Sequence, residues 1–245
     1  MLRPLLLNVS RQIIRSLSSD TTDALLRVSK TLKKISYLSK GESQMKGSIS
    51  YPTRPELFKS LDELAKGKVV YLEFGVFKGD SVRLFLDSVS NTDIHIFGFD
   101  SFVGLPTDWN HAFGAKTAKG TFDVGGKLPN IEHEHVHFVK GWFENTFPEF
   151  LEQHQELIQS ADTVFVHLDA DLYEPSRFVL EKLPTFVKHL YFMCDEWTAG
   201  ECEAIMEFAE INSFTLKFLG HVPSPVHQLP IQVMGELTRV ERIIE

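Results

Sequence analysis

Short apolar runs alternate along this chain with longer stretches in which apolar residues recur every three or four positions, the pattern of strands separated by helices. The clearest run, VVYLEF at 69–74, is apolar or aromatic almost throughout, as expected of a parallel strand covered on both faces. Further runs fall at 95–99, 136–139, 163–168, 190–194, 214–219 and 230–234. Helical patterns fall at 55–66, 80–88, 146–160, 176–187 and 200–212. Strands with helices between them imply a doubly wound sheet. The last two runs are joined only by 220–229, which holds Pro223 and Pro225 and is too short for a crossover helix, so they are expected to pair as an antiparallel hairpin at the end of the sheet. The expected fold is α/β: a Rossmann-like, mostly parallel sheet of about seven strands with an antiparallel terminal hairpin.

Charge divides the chain in two. Residues 1–40 carry eight Lys/Arg against Asp20 and Asp23, whereas 41–245 carry 17 basic against 31 acidic residues. The polar stretch 41–54, with two glycines and a proline, reads as a linker. A basic helical segment with its linker, 1–50, thus precedes a catalytic domain, 51–245. Within 1–19, Arg3, Arg11 and Arg15 with several serines and no acid have the composition of an organellar transit peptide. Leu6, Ile13, Ile14 and Leu17 fall near one helical face, which suits a segment that packs on the body or on a second subunit of a homodimer. The net charge of −8 would repel a phosphate backbone, so nucleic acid is not an expected partner. No apolar run approaches the ~18–20 residues of a membrane span. Cys194 and Cys202 are the only cysteines, too few for a disulfide scaffold and without zinc spacing. A soluble cytoplasmic protein is expected, with organellar import as the alternative.

Ligands of open parallel sheets bind beyond the carboxyl ends of the strands. The first strand is followed by Glu73-Phe74-Gly75-Val76-Phe77-Lys78-Gly79-Asp80-Ser81, where Gly75 and Gly79 allow a tight turn and a helix opens at Asp80 or Ser81. The glycines are four apart, not in the GxGxxG pattern, and Glu73 and Asp80 would repel a pyrophosphate. A ligand with an ammonium or sulfonium charge suits the turn better. Asp100 ends the second strand 25 residues past Gly75, the interval at which a βαβ unit places a carboxylate for ribose hydroxyls. A nicotinamide dehydrogenase would need the pyrophosphate glycines and a donor such as Tyr-Lys, neither of which is visible.

The segments LEFGVFKGDS, FGFDSFVGLP, KGTF, FVKGWFENTFP, FVHLDADLYEPS and CDEW occur in this order, and across residues 69–200 the chain resembles the macrocin O-methyltransferase-like group of class I S-adenosylmethionine-dependent methyltransferases. The resemblance implies that Glu73, Gly75 and Gly79, with Ser81 at the opening of the helix, surround the methionine end of S-adenosylmethionine. It implies that Asp100 holds the ribose, that Ser101 and Phe102 flank the adenosine, and that Gly141 and Trp142 contact the adenine region.

The segment HLDADLY delivers Asp169, Asp171 and Tyr173, and the next strand delivers Asp195-Glu196-Trp197, so two acidic clusters should face one pocket. Carboxylates converging without Lys or Arg partners repel one another unless a cation neutralises them, and Mg²⁺ accepts three or four oxygen ligands plus water. The resemblance implies a metal that holds vicinal substrate hydroxyls, with Asp169, Asp195 and Glu196 as ligands and Asp171 as a further ligand or a base. Asp195-Glu196 departs from the paired aspartates of the family pattern, and the longer glutamate arm alters the metal geometry. His167, inside a strand, is expected to pack or hydrogen-bond in the core. His111, in the loop 106–119, could reach the pocket as a general base. The segment 104–129, with five glycines and two prolines, reads as a mobile lid. The combined expectation is a metal-assisted O-methyltransferase acting on a hydroxylated small molecule such as a sugar unit of a glycoside. A metal-independent methyltransferase and a noncatalytic S-adenosylmethionine-binding protein are the alternatives.

Overall fold

Helix α1 (Ser19–Gln44) leads into a two-residue strand β1 (Ile49–Ser50), helix α2 (Arg54–Lys59) and a 3-10 turn (Ser60–Glu63). There follow β2 (Val69–Phe74), α3 (Asp80–Ser88), β3 (Ile94–Asp100), the short pair β4 (Trp109–Asn110) and β5 (Lys116–Thr117), and β6 (Val136–Lys140). Helices α4 (Phe143–Gln153) and α5 (Gln155–Gln159) precede β7 (Thr163–Leu168), α6 (Tyr173–Lys182), β8 (His189–Cys194) and α7 (Gly200–Ile211). The long strands β9 (Phe214–Pro223) and β10 (Pro230–Arg239) close the fold. This computed structural model describes residues 19–110, 116–183, 187–226 and 229–240. The apolar positions expected at Leu6, Ile13, Ile14 and Leu17, the proposed transit segment, and His111 lie outside the described residues.

The main sheet has the order β1-β9-β10-β8-β7-β2-β3-β6. Strands β8, β7, β2, β3 and β6 are mutually parallel, and β10 runs antiparallel to both β8 and β9. The expected doubly wound, mostly parallel sheet with its antiparallel hairpin is present. Counted from β2, the seven long strands lie in the order third, second, first, fourth, fifth, seventh, sixth. The hairpin is not the sheet's last element, because β1 adds to β9 in parallel from within the stretch expected to be a linker. Two residues are too few to show a period, so nothing in the pattern announces that strand.

Side chains of β2 alternate between two cores. Val70, Leu72 and Phe74 enter one, shared with α4, α6 and α7, while Val69 and Tyr71 enter the other, covered by α2 and α3. Both faces are apolar, which is why the strand reads as a continuous run. Helix α1 lies against α7, held by Lys33 on Glu203 and Glu207 at 3.1 and 2.9 Å and by the Lys40–Glu210 pair. Glu73 continues the Tyr71 side of β2, His167 the Phe165 side of β7, and Asp195 the Met193 side of β8, so the alternation aims all three toward α2.

Candidate functional site

Strands β2 and β7 are neighbours from which the chain winds in opposite directions, and the crevice at such a switch point is where these sheets bind ligands. The two strand ends press together there: Gly75 has φ 99°, and a Cβ on it would collide with the Asp169 carbonyl oxygen. A cavity of about 700 Å³ opens beside this junction, within the range of small-molecule sites. Its acidic lining residues are Asp100, Glu144, Asp169, Asp171, Glu174 and Glu196, and no Lys, Arg or His is among its described lining residues. Trp142, 37% exposed, and Phe143 add apolar wall, as do Leu105 and Trp109 from the expected lid.

Four non-glycine residues around the cavity are left-handed: Phe77 at φ 52°, Phe102 at 57°, Phe122 at 71° and Asp171 at 63°. Each such residue costs on the order of 1–3 kcal/mol and persists only where its surroundings hold it. Two carboxylates hold all of them but Phe122. Asp100 Oδ2 accepts the N–H of Val76 at 2.9 Å and of Phe77 at 2.8 Å, and its Oδ1 accepts that of Phe102 at 2.6 Å. Glu201, fully buried in the first turn of α7, accepts Ala170 and Asp171 N–H on Oε1 at 2.9 and 3.0 Å. Its Oε2 accepts the Cys194 thiol at 2.8 Å and the Glu196 N–H at 3.1 Å. One side chain thereby ties together the loops after β7 and β8, which carry the candidate acids. No sequence motif pointed to it.

The candidate residues divide into those on the cavity and those behind it. Gly75, Asp100, Ser101, Trp142, Asp169, Asp171 and Glu196 line it. Glu73, Ser81, Gly79 and Phe102 are not among the lining residues. Glu73 is fully buried and accepts hydrogen bonds from Ser81 Oγ at 2.6 Å and Tyr71 Oη at 2.7 Å, Phe102 is fully buried in the core, and Gly79 faces Pro129 and Ile131. These four shape the turn from behind.

The acids also have a cationic partner that the motifs did not show. Arg54, at the start of α2, ion-pairs with Asp195 and lies 4.0 Å from Asp169. His167 is a second one: its Nε2 is 3.2 Å from Asp195, and its Nδ1 is 2.7 Å from Tyr71 Oη and 3.3 Å from Glu73. The expectation that the carboxylates lack an Arg partner is therefore corrected; Arg54 comes from a helix far away in sequence. Burial opposes a charge on His167, but Asp195 and Glu73 raise it to about 10. Burial likewise opposes the Asp195 carboxylate, yet His167 and Arg54 hold it below its ordinary value. On the cavity side the acids are less compensated. Burial, then Glu201, pushes Asp171 up to about 8 and Glu196 up to about 7, and burial with Asp195 lifts Asp169 well above the usual carboxylate range.

Among the described residues, His167, Asp169 and Asp195 each offer a ligand atom within 4.8 Å of one another. Asp169 and Asp195 are thus brought together as expected, with His167 joining them. Glu196 stands outside this group: its backbone N–H is held by Glu201 Oε2 and the residue lines the cavity. His167 Nε2 is buried and makes no well-directed hydrogen bond, whereas its Nδ1 is anchored by Tyr71 and Glu73. An imidazole anchored through Nδ1, with Nε2 turned toward Asp195 and not engaged in a well-directed hydrogen bond, is oriented as metal-ligating histidines are, so this donor set fits a divalent ion.

Comparison with known proteins bears on the whole arrangement. Residues 59–218, well over half of the chain, match the macrocin-O-methyltransferase (TylF) family. No curated protein matches the chain in sequence. Among solved structures, the TDP-rhamnose 3'-O-methyltransferase of calicheamicin biosynthesis is 19% identical with a TM-score of 0.46, covering 76% of this chain and 78% of that one. An O-methyltransferase from Bacillus cereus in complex with SAH is 11% identical with a TM-score of 0.47, covering 86% of this chain and 91% of that one. The chain belongs to the macrocin-O-methyltransferase family and is an S-adenosylmethionine-dependent O-methyltransferase.

Proposed function

We propose that the chain methylates a hydroxyl of a small hydroxylated molecule such as a sugar unit of a glycoside, with S-adenosylmethionine in the cavity at the β2–β7 junction and a divalent ion assisting. The observation that carries this reading is a cavity lined by six carboxylates and no described cationic side chain, opening where Gly75 meets Asp169. Carboxylates that outnumber the cationic side chains near them favour a cationic guest, and the sulfonium is one. In this reading Asp100, whose carboxylate keeps lone pairs beyond its three backbone bonds, accepts the ribose hydroxyls, and Ser101 and Trp142 flank the adenosine. Asp171, protonatable near neutrality, takes the proton leaving the acceptor hydroxyl. Leu105 and Trp109, which line the cavity from the expected lid, would exclude water from the transfer when it closes.

His167, Asp169 and Asp195 would hold the ion, and Glu196 would contact the acceptor from the other side. Such an ion orients vicinal hydroxyls and lowers the pKa of the attacking one. The mixed nitrogen and oxygen donors suit Mn²⁺ or Zn²⁺ as well as Mg²⁺. Arg54 on Asp195 favours a second reading, in which the acids are neutralised within the chain and no ion is needed. Cytoplasmic residence fits the two buried free thiols, Cys194 and Cys202. A homodimer through the N-terminal segment is in keeping with α1, whose Leu25, Leu26, Val28, Leu32 and Ile35 are each more than half exposed.

Incubating the protein with methyl-labelled S-adenosylmethionine and a panel of glycosides and catechols, with and without chelator, tests the proposal. Label entering an acceptor hydroxyl and falling away on chelation supports it in full. Label insensitive to chelation selects the metal-independent form, and no transfer to any hydroxylated acceptor refutes the substrate class.

A further inference from the structure

The candidate metal ligands already touch a cation that belongs to the chain. The Arg54 guanidinium pairs with Asp195 and lies 4.0 Å from Asp169, so it contacts two of the three donors that would hold a divalent ion. Around His167, two cationic side chains, His167 and Arg54, are set against Glu73 and Asp195, with Asp169 as a further acid beside them. Arg54 is not a well-satisfied anchor: its Nε is buried with no hydrogen-bond partner, and the contact to Asp195 is not a well-directed hydrogen bond. A half-buried guanidinium with unmade hydrogen bonds is held mainly by charge, and a divalent ion competes for the same oxygens with twice that charge. Its Cζ already lies 5.3 Å from the centre of the Phe58 ring, whose face attracts a cation, so that contact is left to it when the carboxylates are taken.

We infer that Arg54 is a built-in competitor of the divalent ion, occupying Asp195 and Asp169 until the metal displaces its guanidinium from them. This rests on the metal-assisted reading of the same site. Its consequence is that the chain binds divalent ions weakly for a site with two carboxylates and an imidazole, and that the position of the α2 N-terminus sets that affinity. Arg54 is a positioning residue here; it acts through Asp195 and Asp169, not on the acceptor.

The test is Mn²⁺ binding to the full chain, read from loss of the free-ion electron paramagnetic resonance signal, in wild type, Arg54→Met and Arg54→Lys. Arg54→Met should tighten Mn²⁺ at least about tenfold, the low end of what a neighbouring arginine does to a carboxylate's affinity for a cation. Arg54→Lys, which keeps the charge, should lie between, and adding Asp195→Asn to Arg54→Met should abolish the gain. If Arg54→Met does not fold, as circular dichroism would show, Arg54→Gln replaces it with the same expectation. Unchanged or weaker Mn²⁺ binding in a folded neutral variant overturns the inference. S-adenosylmethionine titrated into the same samples separates the failures. Cofactor binding with no Mn²⁺ binding in any variant removes both this inference and the metal reading but leaves the methyltransferase, whereas loss of cofactor binding in wild type reaches the methyltransferase reading itself.

Discussion

Replacing Glu201 by glutamine changes one atom in the group that joins the two acid-bearing loops. The side chain is fully buried and accepts three backbone N–H groups and one thiol. The amide keeps one acceptor oxygen, which can retain Ala170 and Asp171, but its NH₂ then faces the Glu196 N–H and the Cys194 thiol, donor against donor. One backbone N–H and one thiol lose their acceptor. An unsatisfied buried donor costs about 1–3 kcal/mol, so a loss of about 2 kcal/mol is expected. For a chain of this size each kcal/mol moves the midpoint by roughly 2–4 °C, which gives a fall of about 4–8 °C. Differential scanning calorimetry reads the fall, and amide hydrogen exchange locates it: Glu196 should lose protection while Ala170 and Asp171 keep theirs. Glu201→Ala, which orphans all three amides, should cost about 3–6 kcal/mol. A Glu201→Gln protein with an unchanged midpoint and unchanged Glu196 exchange would refute the idea that this carboxylate organises the site.

Gly75→Ala should lower S-adenosylmethionine affinity at least about tenfold, because its Cβ and the Asp169 carbonyl cannot share the junction and φ 99° is unfavourable for alanine; calorimetric titration measures it. Stability of the ligand-free protein should fall as pH rises. Asp171 and Glu196, raised to about 8 and 7, bind protons more tightly folded than unfolded and lose that advantage as pH climbs from about 4 through 8. His167, raised to about 10, contributes stability in full below its unfolded value near 6.5 and loses it as pH passes through 10. Thermal midpoints measured from pH 5 to 10 should decline, and Asp171→Asn should flatten the slope between pH 6 and 8; a midpoint that rises across that range contradicts these assignments. If α1 pairs two copies through Leu25, Val28, Leu32 and Ile35, light scattering should find a dimer that Leu32→Asp converts to a monomer.

Much of this was legible in the chain itself. Continuous apolar runs at 69–74 and 163–168 announced strands buried on both faces, and the short connection at 220–229 ruled out a parallel crossover between β9 and β10. Residues after the strands marked the cavity because a doubly wound sheet fixes where its strand ends open. Arg54 and Glu201 were not legible for a shared reason. Each acts on loops supplied by other elements, and a charge at the start of a helix looks the same in sequence whether it faces solvent or a buried carboxylate. Asp195 meets Arg54 and His167, whereas Glu196 stands apart from the His167–Asp169–Asp195 group and has its backbone N–H on Glu201, a difference that two adjacent acids do not show in sequence. His167 was read as a core residue, and it is fully buried, but the same burial brings it onto Asp195.

The central claim, that the cavity between the ends of β2 and β7 is the cofactor site, is tested most directly by calorimetric titration of S-adenosylmethionine into the wild-type protein and Asp100→Asn. The account predicts one site per chain in wild type and at least about tenfold weaker binding in the folded variant, which loses a charged acceptor for ribose. Absence of binding to folded wild-type protein, or equal binding by both, would contradict it.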